Sequence, residues 1–404
     1  MRIAKLRQIL PQLFALFFVS IIVLGCGVTF NTANELTWQI SPVMVSLSRA
    51  HTDFCSNFTI IFLPDTQYYS QSYPEIFDNQ TRWIVNNAEA MNIVFVTHVG
   101  DIVQNWDAES EWQNANHSVS ILDNSDVPYG ILPGNHDGVC FGGNTTNYNK
   151  YFGSDRFYGK SWYSGSYQNN NDSYQLFSAG GDDYLIFHFE YAPSDDALRW
   201  ANATIDKYPD RRVIVTTHAF LTASGNRSQY VCCRPAWPPE SGIANSGEQL
   251  WQKFIKPHAD QIFLVLSGHF NGEARRNDSI NGHTVFQLLA NYQGRTNGGN
   301  GWLRILEFCP MLDRIYVKTY SPYLNSFERD SDSEFDLDYN MTGCARLDLN
   351  DDHIINILDI AIVARAYGAM PGDSNWNQVA DLNDDDIINI LDVAMIARHF
   401  GETV

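Results

Sequence analysis

The chain is short of positive charge. Lysine and arginine together number 26 of its 404 residues, against 46 aspartates and glutamates, for a formal net charge of −20. The one basic cluster, Arg2, Lys5 and Arg7, stands at the N-terminus. A surface this acidic repels phosphodiester backbones, which argues against a nucleic-acid partner. Cysteine is sparse, and none of the 7 falls in a Cys-x-x-Cys spacing, so a thiolate metal site has no support. No Gly-x-Ser-x-Gly elbow occurs, which leaves a catalytic serine unsupported. Long apolar runs are missing too, apart from one stretch from about Ile9 to Gly25, which is short for a membrane-spanning helix.

That stretch follows the basic cluster, as in a secretion signal. Cys26, after Val23-Leu24-Gly25, loosely fits a lipoprotein cleavage site. Ordinary cleavage and an uncleaved membrane anchor are the alternatives. All three export the remainder, so the expected location is extracellular or at the cell surface, with attachment to a membrane through the N-terminus as one option. Cys55, Cys140, Cys232, Cys233, Cys309 and Cys344 are an even set, compatible with disulfides of undetermined connectivity. Sequons such as Asn57, Asn144, Asn202 and Asn340 support export weakly. The length predicts two or three domains. The divisions expected are 1–26 (signal or anchor), 27–56 (linker), 57–340 (a catalytic-type domain) and 345–402 (a small terminal module).

Short apolar runs alternate with amphipathic stretches between Phe58 and about Tyr339. Five runs are each followed at once by polar residues of metal-ligating type. Ile60–Leu63 precedes Asp65-Thr-Gln67, Ile93–Val96 precedes Gly100-Asp101, and Gly130–Leu132 precedes Gly134-Asn-His-Asp137. Val213–Val215 precedes His218, and Ile262–Leu266 precedes Gly268-His269-Phe-Asn271. Strands of one open α/β sheet present their C-terminal ends at one edge, where ligands bind. Strands are also expected over 184–190, 284–289, 302–307 and 314–320, the last three pairing antiparallel at the sheet periphery. Helices are expected over 81–91, 110–123, 195–208 and 247–256. The Gly-, Asn-, Tyr- and Trp-rich stretch 139–178 reads as loop over the site. Its Tyr158, Trp162, Tyr163 and Tyr167 can stack on a ligand or simply pack.

Two cations about 3.5–4 Å apart can clamp a phosphoester between them. One carboxylate must bridge such a pair, and Asp101 is the candidate, since Gly100 lets the backbone turn tightly there. Asp65 and Gln67, two apart in an extended segment, can face one ion, with Asn271 pointing back at it. Asn135, His218 and His269 complete the other. His136 stands where it can contact the phosphate or protonate a departing oxygen. Asp137 can orient it through its second ring N–H. His98 and His188, inside strands, read as core residues.

These residues resemble the calcineurin-like metallophosphoesterase family over about 57–340. The resemblance implies a four-layer α/β/β/α sandwich and hydrolysis by a hydroxide bridging two divalent ions, manganese, iron, zinc or magnesium. Carried over, Asp65, Gln67, Asp101 and Asn271 fall at the first ion, and Asp101, Asn135, His218 and His269 at the second. His136 falls at the proton-donating position. Two residues depart from the family pattern: Gln67 and Asn271 stand where it has histidine. Both belong to the first ion, which becomes an all-oxygen site favouring hard cations.

The C-terminal stretch repeats itself. Asp348, Asn350, Asp352, Asn356 and Asp359 occupy positions 1, 3, 5, 9 and 12 of an EF-hand-like calcium loop, with the carbonyl of Ile354 at 7. Asp381, Asn383, Asp385, Asn389 and Asp392 do the same, with Ile387 at 7. His353 and Asp386 replace the usual glycine at position 6. Each loop runs into a helix that stops near Gly368 or Gly401. The duplicated loop-plus-helix resembles a type I dockerin, a small all-α domain. That resemblance implies two bound Ca²⁺ and docking onto a cohesin-like partner.

The expected function is therefore hydrolysis of phosphomonoesters or phosphodiesters by an exported, tail-tethered enzyme. The competing expectation is a non-catalytic cell-surface scaffold or adhesion protein whose phosphoesterase domain is degenerate.

Overall fold

A computed structural model describes residues 56–401, apart from 140–143, 230, 232–243, 311–312, 342–346, 351, 353, 383–384 and 399. The signal-like segment, the linker and every cysteine but Cys309 lie outside the described residues. Cys309 is buried. Among the described residues no helix is long and apolar enough to cross a membrane.

Fourteen strands are described. They are β1 (Phe58–Leu63), β2 (Ile93–His98), β3 (Tyr129–Gly130), β4 (Tyr163–Tyr167), β5 (Asp172–Ala179), β6 (Asp182–Phe189) and β7 (Arg212–Thr217). There follow β8 (Ile262–Ser267), β9 (Gly272–Ile280), β10 (His283–Asn291), β11 (Leu303–Cys309), β12 (Arg314–Ser321), β13 (Ser326–Glu328) and β14 (Glu334–Asp338). The helices are α1 (Gln67–Ser72), α2 (Pro74–Asn87), α3 (Glu109–Asp123), α4 (Thr146–Phe152), α5 (Asp195–Ile205), α6 (Gly247–Leu250), α7 (Ile357–Ala366) and α8 (Ile390–Arg398).

The strands form two seven-stranded sheets, not one. The first runs β13-β12-β11-β1-β2-β3, with β14 also on β12, and the second runs β4-β5-β6-β7-β8-β10-β9. Alternation along β1 shows why they stack. Ile61 and Leu63 pack with Ile76, Phe77 and Trp112 of the helices, while Phe58, Ile60 and Phe62 pack with Ile214, Leu264 and Leu288 of the second sheet. The second sheet alternates likewise, its Leu185, Phe187, Val213 and Val215 facing Leu198, Leu250 and Trp251. Three apolar layers between four structural layers give the α/β/β/α sandwich that the resemblance implies.

Several expectations need correction. The ligand-bearing strands do not share one sheet: β1, β2 and β3 lie in the first, β7 and β8 in the second. Strands β11 and β12 pair antiparallel as expected, but β10 does not join them: it pairs antiparallel with β9 and parallel with β8 in the other sheet. Among its described residues the stretch 139–178 is not loop throughout. It contains α4, β4 and β5, and its Tyr148, Phe152 and Phe157 are core residues. Composition hides this, because β5 buries Asp172, Ser173 and Gln175 and so shows no polar–apolar alternation. Edge strand β9 carries no strand signal for a related reason: its Gly-Glu-Ala-Arg-Arg sequence has one face that need not be apolar.

One buried ion pair links the sheets. Arg304 on β11 donates through Nη2 to Glu273 Oε1 on β9 at 2.8 Å, and Tyr292 O–H donates to the same oxygen at 2.8 Å. Burial would raise the Glu273 carboxyl, but Arg304 outweighs it and holds the group below the usual carboxylate range. A lowered acid pKa contributes stability above the unfolded-state value, and that contribution disappears as pH falls through the folded-state value. Glu273→Gln is expected to cost about 3–5 kcal/mol at pH 7, since it leaves Arg304 buried and uncompensated. Urea unfolding at pH 7 and at pH 3 checks this: the gap between wild type and variant should shrink at the lower pH.

Candidate metal centre

The five polar segments converge where the C-terminal ends of β1, β2, β3, β7 and β8 meet. Asp65, Gln67, Asp101, Asn135, Asp137 and His218 are all buried. Gly100 and Gly134 make the close approach possible, since a Cβ on Gly100 would lie 2.6 Å from the Gly134 nitrogen and one on Gly134 2.2 Å from Asp101 Oδ1. Asp101 and His269 both hold left-handed backbone, with φ of 51° and 68°. Such strain costs on the order of 1–3 kcal/mol and tends to be retained at functional positions.

His218 Nδ1 lies 2.7 Å from the Val99 carbonyl. A carbonyl only accepts, so Nδ1 carries the proton and the second nitrogen, Nε2, turns inward. Around Nε2 stand Asn135 Oδ1 at 2.9 Å, His269 Nδ1 at 3.2 Å and Asp101 Oδ1 at 3.3 Å. His269 Nδ1 is itself 2.7 Å from Asn135 Oδ1. Two ligands bound at about 2.1 Å lie about 3.0 Å apart at right angles and about 3.4 Å apart in a tetrahedron. Asp101, His218 and His269 each offer one ligand atom within 4.8 Å of the others, near enough to share an ion, and Asn135 Oδ1 lies beside both imidazoles. Without a cation, Nε2 must hold a proton among these acceptors. Burial works against that charge, yet Asp101 and Asp65 hold His218 up to about 9. Burial and the charge on His218 push His269 down to about 4.

On the other side of Asp101, Gln67 Nε2 donates to Oδ2 at 3.1 Å. Gln67 Oε1 is buried without a hydrogen-bond partner. Leaving such an oxygen unpaired costs about 1–3 kcal/mol, and a hard cation would satisfy it. Asp65, whose oxygens accept from the His269 N–H at 3.1 and 3.3 Å, is raised by burial and by the Asp101 charge. Asp101 is held low, His218 outweighing burial. Two carboxylates buried around one imidazolium form a donor set that fits divalent cations.

Some placements differ from expectation. Gln67 is not in an extended segment: Thr66 caps α1 and Gln67 opens it. Asn271 is exposed, and its Oδ1 accepts from the Gly294 N–H at 3.0 Å. Asp137 does not orient His136. Its oxygens accept from the backbone N–H groups of Ile102, Val103 and Gly134 at 2.7–3.0 Å, clamping the loop that carries Asp101. His136 Nδ1 instead lies 2.9 Å from the Gln104 carbonyl, while its backbone N–H donates to Asp101 Oδ1 at 2.9 Å. Backbone carbonyls such as those of Val99 and Gln104 leave no mark in sequence. His98 accepts from the Gly100 N–H at 3.1 Å and lies 3.0 Å from Thr66 Oγ1, which ties two ligand loops together. Its position two before Gly100 is the one signal of that role. Trp162 packs edge-on to Phe95 and Phe157, Tyr163 stacks on Phe157, and Tyr167 meets Trp200, so these aromatics serve packing. Tyr158 is exposed.

The C-terminal loops fold alike. Asp359 Oδ1 accepts from Leu349 N at 2.8 Å and its Oδ2 from Asn356 N at 2.8 Å; Asp392 repeats both bonds to Leu382 and Asn389 at 2.7 Å. Asp348 accepts from Asp352 N at 3.1 Å and Asp381 from Asp385 N at 3.2 Å. Asn350 and Asp352 bond each other, and Asn356 Nδ2 reaches the Ile354 carbonyl, as Asn389 does that of Ile387. Asp386, at loop position 6, has φ of 62°. Asn383 lies outside the described residues.

Residues 58–270 match the family described as "Calcineurin-like phosphoesterase", and residues 346–401 match "Dockerin type I domain". The chain belongs to the calcineurin-like phosphoesterase family and carries a dockerin module at its C-terminal end. It is 40% identical over 274 residues to "Uncharacterized protein YvnB" of Bacillus subtilis (strain 168), a match covering 66% of this chain and 20% of that protein. The chain thus spans about a fifth of the length of that curated relative. Similar solved structures include the purple acid phosphatase PPD1 from yellow lupin (Lupinus luteus) seeds, at TM-score 0.45 and 12% identity, covering 72% of this chain and 55% of that one. Another is GAP50, "the anchor in the inner membrane complex of Plasmodium", at TM-score 0.42 and 12% identity, covering 70% and 89%. At these scores the two likenesses support nothing further about this chain.

A cation on His218 Nε2 must displace the proton held there up to about 9. Affinity for Mn²⁺ is therefore expected to rise with pH toward 9 and then level off, with proton release below that point. Titration calorimetry in buffers of different ionisation enthalpy checks it; pH-independent binding without proton release contradicts it. In the C-terminal module, the aspartates that the loops gather repel one another without Ca²⁺. Chelation is expected to abolish that module's thermal transition, and a calorimetric trace unchanged by chelator contradicts this.

Proposed function

We propose that the region 57–340 hydrolyses phosphate mono- or diesters at a two-cation centre held by Asp65, Gln67, Asp101, Asn135, His218 and His269. The observation that carries this is Asp101, whose Oδ1 faces the His218–Asn135–His269 group and whose Oδ2 faces Gln67. One carboxylate addressing two donor sets is what a bridging ligand requires. Bound divalent cations supply an activated water and neutralise charge on the phosphoryl oxygens.

The chain's own groups do the rest. The first donor set is all oxygen, from carboxylates and carboxamides, and suits manganese or magnesium; the second adds two imidazoles, which also suit iron and zinc. Asn271 joins the first set if its side chain leaves Gly294. His136 commits Nδ1 to the Gln104 carbonyl, so Nε2 is the nitrogen left to serve a departing oxygen. Asp137 acts on this chemistry only by holding the Asp101 loop.

The proposed division of the remainder follows the sequence: 1–26 as export signal or anchor, 27–56 as linker, 345–402 as the calcium-dependent tail. Ile357, Leu358, Ile390 and Leu391, at positions 10 and 11 of the two calcium loops, are exposed. They offer a cohesin-like partner two equivalent apolar faces. The protein then works outside the cell, tethered to that partner.

With added Mn²⁺, the full chain is expected to turn over an aryl phosphate or bis-aryl phosphodiester, and Asp101→Asn to lose about a hundredfold or more. No turnover by wild type with any of the four metals would instead favour the scaffold reading.

A further inference from the structure

The interface between the two sheets is apolar almost throughout, with Phe58, Phe62, Phe95, Leu264 and Leu288 among its residues. Apart from the Arg304–Glu273 pair, one cluster of four polar side chains interrupts it. Thr97 on β2 belongs to the first sheet; Gln175 on β5, His188 on β6 and Thr216 on β7 belong to the second, and all four are buried. Thr97 Oγ1 lies 2.9 Å from His188 Nε2 and 2.9 Å from Thr216 Oγ1. His188 Nδ1 lies 2.7 Å from Gln175 Oε1, and Gln175 Nε2 donates to Ser173 Oγ at 3.1 Å.

The chemistry fixes the direction of every bond. The Gln175 carbonyl oxygen only accepts, so His188 Nδ1 donates. Burial keeps the ring neutral, so Nε2 accepts from the Thr97 hydroxyl. Thr97 oxygen then accepts from the Thr216 hydroxyl. The result is a one-way chain, Thr216 to Thr97 to His188 to Gln175 to Ser173, which crosses between the sheets at Thr97.

Its place in the fold matters. Thr97 precedes Asp101 on the same strand-and-loop segment, and Thr216 stands two before His218. Asp101 Oδ1 and His218 Nε2 meet across the sheets at 3.3 Å, and Asn135 Oδ1 meets the same nitrogen at 2.9 Å. Apolar burial is non-directional and does not by itself fix how two sheets sit against each other. Hydrogen bonds restrict distance and angle to a narrow range. We propose that Thr97, His188 and Thr216 are positioning residues, a cross-sheet link that sets the spacing between the ligands of the first sheet and those of the second. This rests on reading the cluster above as a cation site.

The test is Mn²⁺ titration calorimetry on the full chain. Thr97→Val keeps shape but removes the hydroxyl; Thr97→Ser keeps the hydroxyl. Thr97→Val is expected to weaken Mn²⁺ binding about 10–100-fold, as loss of an outer partner of metal ligands does, and Thr97→Ser to stay near wild type. A purely structural role would lower unfolding midpoints without this split in affinity. Wild-type affinity in Thr97→Val, alongside weakened binding in Asp101→Asn, overturns the proposal and leaves the cation site standing. Unchanged binding in Asp101→Asn overturns the cation site itself. Should Thr97→Val fail to fold, Thr216→Val carries the test: weaker binding supports the link, and wild-type affinity overturns it.

Discussion

The structure turns on one electrostatic demand: Asp65, Asp101 and the inward nitrogen of His218 occupy the same water-poor corner. Burying carboxylates is expensive unless they are paired. Here one imidazolium is the partner available for two of them, and an amide oxygen of Gln67 is left with none. Evolved cores do not keep such an arrangement for stability. On the function proposed above it becomes favourable when cations enter, because the excess charge and the unpaired Gln67 oxygen then have a recipient.

The sandwich exists to meet that demand. The first sheet supplies four of the proposed donors and the second two, and neither set is a site alone. Asp65, Gln67, Asp101 and Asn135 arrive on loops after β1, β2 and β3; His218 and His269 arrive after β7 and β8. Loops follow strand ends, so the packing of two sheets through Phe58, Phe62, Leu264 and Leu288 decides where the loops meet. Left-handed backbone at Asp101 and His269, and the glycine contact between Gly100 and Gly134, are the local concessions that bring the last ångströms together. In the C-terminal module the same logic runs at smaller scale, with Asp359 and Asp392 each tying a loop's start to the following helix.

Much of this is legible in the amino-acid sequence. Apolar runs ending in Asp, Asn and His mark five strand ends, and the spacing of Asp348 to Asp359 and its copy marks the calcium loops. The features that sequence conceals have physical reasons for being concealed. Two stacked sheets and one open sheet give the same run of apolar strands, because both bury strands on two faces. Strand β5 is hidden by buried polar residues, Asp172, Ser173 and Gln175, which stand where an alternating pattern would have apolar ones. Asp137 looks like a partner of its neighbour His136, yet three backbone N–H groups from two loops claim it, and no side-chain pattern encodes a backbone donor. The cross-sheet link through Thr97 and His188 is likewise invisible, since it joins residues remote in sequence whose types are ordinary in strands.

The most direct measurement is an anomalous difference map from crystals of the full chain grown with Mn²⁺. The account predicts two peaks about 3.5–4 Å apart, one beside each oxygen of Asp101, the second also touching His218 and His269. Asp101 with no peak on either oxygen contradicts it.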